Sequence, residues 1–137
     1  MKFRRSKKMY EMYVCPRCFN QVNKCTCKEY PPWSLVMIDK KIQPHIRLLN
    51  QKGYATTYCC EGHEREEAIY ISFQLPLDMM FEEIPEGFKT HAGKSIQKKI
   101  PRDCEDVEQF KDDVLSKLYE WIENLPEWRY SNPNYKK

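Results

Sequence analysis

Residues 54–75 read Tyr54-Ala-Thr-Thr-Tyr58-Cys-Cys-Glu-Gly-His63-Glu-Arg-Glu-Glu67-Ala-Ile-Tyr-Ile-Ser-Phe-Gln-Leu75, and this stretch decides the fold class. Tyr54 to Tyr58 is rich in β-branched and aromatic side chains. In Glu67 to Leu75, Ile69, Ile71 and Phe73 alternate onto one face. Both patterns belong to strands half-buried against a core. Cys59-Cys60-Glu61-Gly62-His63 makes the turn between them, which points to a small, mainly antiparallel sheet.

On the N-terminal side, Ile42, Ile46 and Leu49 recur at helical spacing. Asp39 suits the N-cap, Pro44 falls near the first turn, and Gly53 offers a left-handed C′ position, giving a helix over about 40–52. His45 has no second histidine at helical spacing and is read as a surface or cap-region residue, not a ligand. Ser34 to Ile38 reads as a buried strand, and Met9 to Val14 as a short one. On the C-terminal side, Pro76 to Glu86 carries Met79, Met80, Phe81 and Ile84, which cap the core. Phe88–His91 and Ser95–Ile100 form a hairpin across Ala92-Gly93-Lys94. Asp103 then opens a long helix to about Leu125, with Val107, Phe110, Val114, Leu118, Trp121 or Ile122, and Leu125 as its apolar stripe. The opposite face carries Glu105, Asp106, Glu108, Asp112, Asp113, Glu120 and Glu123, and Pro126 ends the helix. The expected fold is α+β, with two main helices on a small antiparallel sheet and an N-terminal zinc knuckle. Residues 1–33 form a basic arm and knuckle, 34–126 the core, and 127–137 a loose tail; Tyr30-Pro31-Pro32-Trp33 stiffens the boundary.

The knuckle rests on Cys15-Pro16-Arg17-Cys18, then six residues, then Cys25-Thr26-Cys27. Cys-x-x-Cys lets one tight turn present two sulfurs to one ion, and Cys25 with Cys27 completes a tetrahedral shell suited to Zn²⁺. Four thiolates leave no open position, so this metal holds structure and performs no catalysis. A disulfide framework and a redox pair are the competing readings, disfavoured because no signal peptide precedes the cysteines and no strand-to-helix redox pattern surrounds them.

The turn at Cys59 to His63 is the second place for chemistry. Cys60 and His63, with Cys59 or the distant His91, suit a second zinc. Equally, an imidazole could activate a thiolate nucleophile. The simplest reading is structural, with a packed thiol, Gly62 as turn residue and His63 at the surface. Cys104 reads as a packed thiol.

The chain has 137 residues, seven cysteines and a net charge of +3. Its odd cysteine count and lack of a membrane-length apolar run suggest a reduced, soluble, cytoplasmic protein with no membrane partner. The charge is segregated: residues 1–53 carry twelve Lys/Arg against three Asp/Glu, and residues 54–137 carry eleven against seventeen. The arm with Lys2, Arg4, Arg5, Lys7 and Lys8 could track a nucleic-acid backbone, and the acidic helix could meet a basic groove.

Two resemblances add to this. The order of the knuckle, a helix ending Leu48-Leu49-Asn50-Gln51-Lys52-Gly53-Tyr54, the Cys59–His63 turn and the strand Tyr70-Ile71-Ser72-Phe73 resembles a group of small proteins of Gram-positive bacteria and their phages, over residues 15–75. Small zinc-bearing phage proteins of this kind include anti-CRISPR inhibitors of type II effector nucleases, which act as stoichiometric binders. Thr56-Thr57-Tyr58-Cys59-Cys60-Glu61-Gly62-His63 is similar to the T-T-S-S-C-S-G-R signature of the wybutosine-synthesising tRNA methyltransferases. Thr56, Thr57, Cys60 and Gly62 match it, whereas His63 replaces its arginine. The first resemblance implies a phage or mobile-element inhibitor that blocks nucleic-acid loading on a larger effector; by its charge the acidic helix, with Asp112, Asp113 and Glu120, is the leading contact candidate. The second implies an RNA-modifying enzyme.

Overall fold

Four strands pair antiparallel in the order β3-β4-β6-β5: β3 is Thr56–Cys60, β4 Ala68–Phe73, β5 Lys89–His91 and β6 Ser95–Lys99. A second sheet has two strands, β1 (Tyr13–Val14) and β2 (Val36–Met37). The computed structural model describes residues 12–21, 24–27 and 36–128. The basic arm, the Pro31-Pro32 boundary and residues 129–137 lie outside that range. Three helices complete the described chain: α1 (Gln43–Gln51), the short α2 (Leu77–Met80) and α3 (Val107–Glu123). The class is α+β, as the strand and helix patterns required.

Ile69, Ile71 and Phe73 of β4 and Ile96 of β6 are buried on one sheet face, as period-two alternation demands. Against them pack Ile42, Ile46 and Leu49 from the α1 region and Leu115, Leu118 and Ile122 from α3. Tyr54 stacks on Phe81, which meets Phe73 edge-on and Trp121 at a tilt. Trp128, expected at the start of a loose tail, lies against the Tyr54 ring, and its backbone N–H donates to the Lys52 carbonyl at 2.7 Å. An added Cβ on Gly53, at φ +96°, would fall 2.5 Å from the Trp128 carbonyl oxygen, so that close approach needs a glycine.

Several local expectations are corrected. A 3-10 turn, Lys40–Ile42, precedes α1, and Asp39 makes no side-chain cap there. Its carboxylate accepts from the Glu61 N–H instead, at 3.2 Å. The long helix is capped by Asp106, not Asp103: Asp106 Oδ1 accepts from the Gln109 N–H at 3.1 Å. Its C-terminal carbonyls are satisfied from outside the helix, because Lys52 Nζ donates to those of Ile122, Glu123 and Leu125. That also places a cation at the negative end of the helix dipole. Ser34 to Ile38 yields only the two-residue β2 among the described residues, and its Met37 is exposed. His45 is buried, not superficial; its Nε2 lies 2.7 Å from the Leu115 carbonyl, which ties α1 to α3.

Candidate metal centre and acidic groove

Cys15, Cys18, Cys25 and Cys27 converge so that their four sulfurs all lie within 4.8 Å of one another. Backbone geometry builds this. Cys15 N–H donates to the Asn20 carbonyl and Phe19 N–H to the Cys15 carbonyl, each at 2.9 Å, and Phe19 takes a left-handed φ of 60° to close the turn. A Val14–Gln21 bridge seals its base. Arg17 and Cys27 N–H groups point at the sulfurs of Cys15 and Cys25, at 3.3 and 3.2 Å, as donors that favour thiolates. The Cys18–Cys25 sulfur separation is 3.6 Å. That is far beyond a disulfide bond of about 2.05 Å. It is close to the roughly 3.8 Å between two sulfurs of a tetrahedral site with metal–sulfur bonds of about 2.3 Å. The four cysteines could therefore hold a metal ion. All seven cysteines are free thiols.

Without a cation the cluster resists ionisation. Cys27 is pushed up to about 12 by desolvation and by the neighbouring Cys25 and Cys18 sulfurs. Cys15 is raised too, first by its burial. A divalent ion reverses this, because it stabilises the thiolates directly. The knuckle is docked on the core: Val14 is buried, β1 pairs with β2, Arg47 donates to the Phe19 carbonyl and Gln21 to the Gln43 side chain.

The second turn divides its candidates. Cys60 and His63 come together, and the third group beside them is Asp39 from the segment before α1; the three ligand atoms lie within 4.8 Å of one another. Cys59 falls outside that cluster, because successive strand residues face opposite sides and its thiol packs against the core. His91 stands exposed on β5 and does not join it. A nucleophilic thiolate is disfavoured by the same surroundings. Burial, then the charges of Asp39, Cys60 and Glu61, push Cys59 up to about 12, and burial likewise raises Cys60.

Glu61, at the centre of this turn, does what its sequence position could not reveal. Its Oε2 accepts from Lys111 Nζ of α3 at 2.9 Å and its Oε1 from the Lys41 N–H at 2.9 Å. The Lys111 and Glu61 side chains are only 3% and 11% exposed. Lys111 thus occupies the buried line of α3 with Leu115, Leu118 and Ile122. The stripe expected from apolar residues alone is accordingly rotated, with Phe110, Val114, Trp121 and Leu125 half-buried on its flanks.

The acidic face of α3 is not one surface. Glu108 and Asp112 both pair with Lys41 Nζ, at 2.6 and 2.9 Å. These hydrogen bonds raise the lysine above its ordinary value and lower the Glu108 carboxyl below its own. Asp113 accepts from Gln109 Nε2 one turn earlier. Asp112 and Glu120 border an open groove between α1 and α3 of about 590 Å³, with Leu115, Tyr119 and Pro44 among its apolar lining and Glu123 at its end; Asp113 does not line it. No helix among the described residues is long and apolar enough to cross a membrane.

No protein-family model matches the chain, and no curated protein or solved structure matches it.

Proposed function

We propose that this is a non-catalytic binding protein, stapled at its N-terminal end by Zn²⁺ on Cys15, Cys18, Cys25 and Cys27, that engages a larger protein through the α1/α3 groove. The observation that carries the reading is the groove's composition: an apolar floor from Leu115 and Tyr119 under a rim of Glu120 and Glu123, with Asp112 held by Lys41 at the other end. Such a surface fits a basic segment with an apolar side, of the kind that nucleases present to nucleic acid. Zinc is the metal of choice because four sulfur donors and a closed shell suit a tetrahedral, redox-inert ion.

In this reading the protein acts as a stoichiometric inhibitor of the phage-borne anti-CRISPR kind, with a type II CRISPR nuclease as its target. Carboxylates at the groove compete for the Lys and Arg that otherwise hold phosphate. The test is a titration of the protein into a panel of purified type II effectors, added before or after the guide RNA, with DNA cleavage as readout. Inhibition saturating at a one-to-one ratio, stronger when the protein is added first and lost in Asp112→Lys/Glu120→Lys/Glu123→Lys, is the expected result. No inhibition at excess across the panel, or full inhibition by the triple variant, rejects the reading.

A further inference from the structure

Asp39 comes from the segment before the 3-10 turn, whereas Cys60 and His63 come from the end of β3 and the loop just beyond it. Yet their ligand atoms converge within 4.8 Å. We propose that they form a second metal site, for a divalent transition ion of the Zn²⁺ type, with three protein donors and one position open to solvent.

The donor set is the first argument. One thiolate, one imidazole and one carboxylate are the three ligand types zinc takes, and three protein ligands with a free position is the pattern of open sites. Geometry is the second. His63 Nε2 and Asp39 Oδ2 are 3.3 Å apart. That is long for a charge-assisted N–H···O bond of about 2.7–2.9 Å. It matches the roughly 3.3 Å between nitrogen and oxygen donors across a tetrahedral ion with bonds of about 2.0 Å.

Preorganisation is the third. Two of the three ligand atoms, and the loop that carries the third, are held independently of a metal. The Glu61 N–H donates to Asp39, the Gly62 N–H to the Cys60 sulfur at 3.3 Å, and the His63 N–H to Glu67 Oε1 at 2.8 Å. The first two are outer contacts of the kind that orient ligand atoms in metal sites, and the third holds the backbone of His63. Gly62 sits at φ +76°, and a Cβ there would come within 2.9 Å of the Ile100 side chain, so glycine relieves both strain and crowding at this turn. The buried Glu61–Lys111 pair anchors the residue between the two loop ligands. The His63 side chain is 54% exposed and Asp39 18%, which leaves the solvent side of the cluster accessible for the fourth ligand.

The site is distinct from the cysteine knuckle, and its test is independent of the inhibitor reading. Full-length protein is dialysed against Zn²⁺ and bound metal is counted per chain in wild type, His63→Ala, Asp39→Asn and Cys60→Ser. Each variant is expected to hold one zinc fewer than wild type, whatever the knuckle holds, with unchanged far-UV circular dichroism. His63→Ala removes an exposed side chain, so it keeps the comparison meaningful if Cys60→Ser fails to fold. Co²⁺ replaces Zn²⁺ in a second measurement, where His63→Ala should abolish one of two sets of ligand-field bands. Equal zinc counts in wild type and folded His63→Ala, or identical Co²⁺ spectra, overturn the proposal.

Discussion

Replacing Lys111 by methionine tests the unit that joins the 59–63 turn to α3. Lys111 Nζ and Glu61 Oε2 are 2.9 Å apart with both side chains almost excluded from water. At an effective dielectric of about 20 the attraction at that distance is about 6 kcal/mol, most of it offset by the cost of desolvating both groups. Removing one partner leaves the other charge buried, which costs about 3–5 kcal/mol. Glu61 keeps its second hydrogen bond, from the Lys41 N–H, so the lower end applies. A loss of about 3 kcal/mol lowers Tm by roughly 10 °C in a domain of this size. The assay is a double-mutant cycle of Lys111→Met, Glu61→Gln and the pair together, by urea unfolding. Lys111→Met should cost about 3 kcal/mol, and the double variant should recover at least half of it, since an apolar residue beside a neutral amide leaves no buried charge. A single-variant cost below about 1 kcal/mol, or strictly additive costs, refutes the buried-pair reasoning.

Other outcomes follow from the same contacts. Gly62→Ala should destabilise by about 1–3 kcal/mol in thermal unfolding, because a non-glycine residue is strained at φ +76° and its Cβ meets Ile100. His45 is lowered from 6.5 by burial, against the raising effect of the backbone at Leu115, whose carbonyl its Nε2 meets, and at Ile42. Its unfolded form therefore binds the proton more readily, so its contribution to stability is full above about 6.5 and is lost as pH falls below that value. Tm should drop between pH 7.5 and 5.5, and less so in His45→Gln; an equal drop in the variant would assign the acid sensitivity elsewhere. Lys52→Met should cost about 1–2 kcal/mol and raise amide exchange in the last turn of α3, because three carbonyls lose their donor. Unchanged exchange there would remove Lys52 as the cap.

The alternation of Ile69, Ile71 and Phe73, and the helical spacing of Ile42, Ile46 and Leu49, made the sheet and α1 legible, because burial of apolar side chains sets those periods. The Cys15–Cys27 cluster was legible because ligand spacing within a tight turn is a local property. What escaped the sequence is long-range and polar. Lys111 reads as a surface lysine until Glu61, fifty positions away, is seen opposite it. Asp39 reads as a helix cap until β3 brings Cys60 and His63 beside it. Asp106 and Asp103 are equivalent cap candidates by residue type, and only the backbone path separates them. The pairing of Glu108 and Asp112 with Lys41 was equally invisible, so an acidic face counted from sequence exceeds the one left for a partner. A Glu61-to-Lys111 pairing signal could have come only from noticing that a lysine interrupts the i, i+4, i+7 line Lys111, Leu115, Leu118.

The measurement that bears most directly on the account is native mass spectrometry of freshly purified protein, counting zinc in wild type and in Cys15→Ser/Cys18→Ser, with hydrogen exchange followed at Val14. The account predicts one zinc fewer in the variant and loss of protection in β1 and β2, with the four-stranded sheet still protected. An unchanged zinc count with β1 intact would contradict the four-cysteine centre.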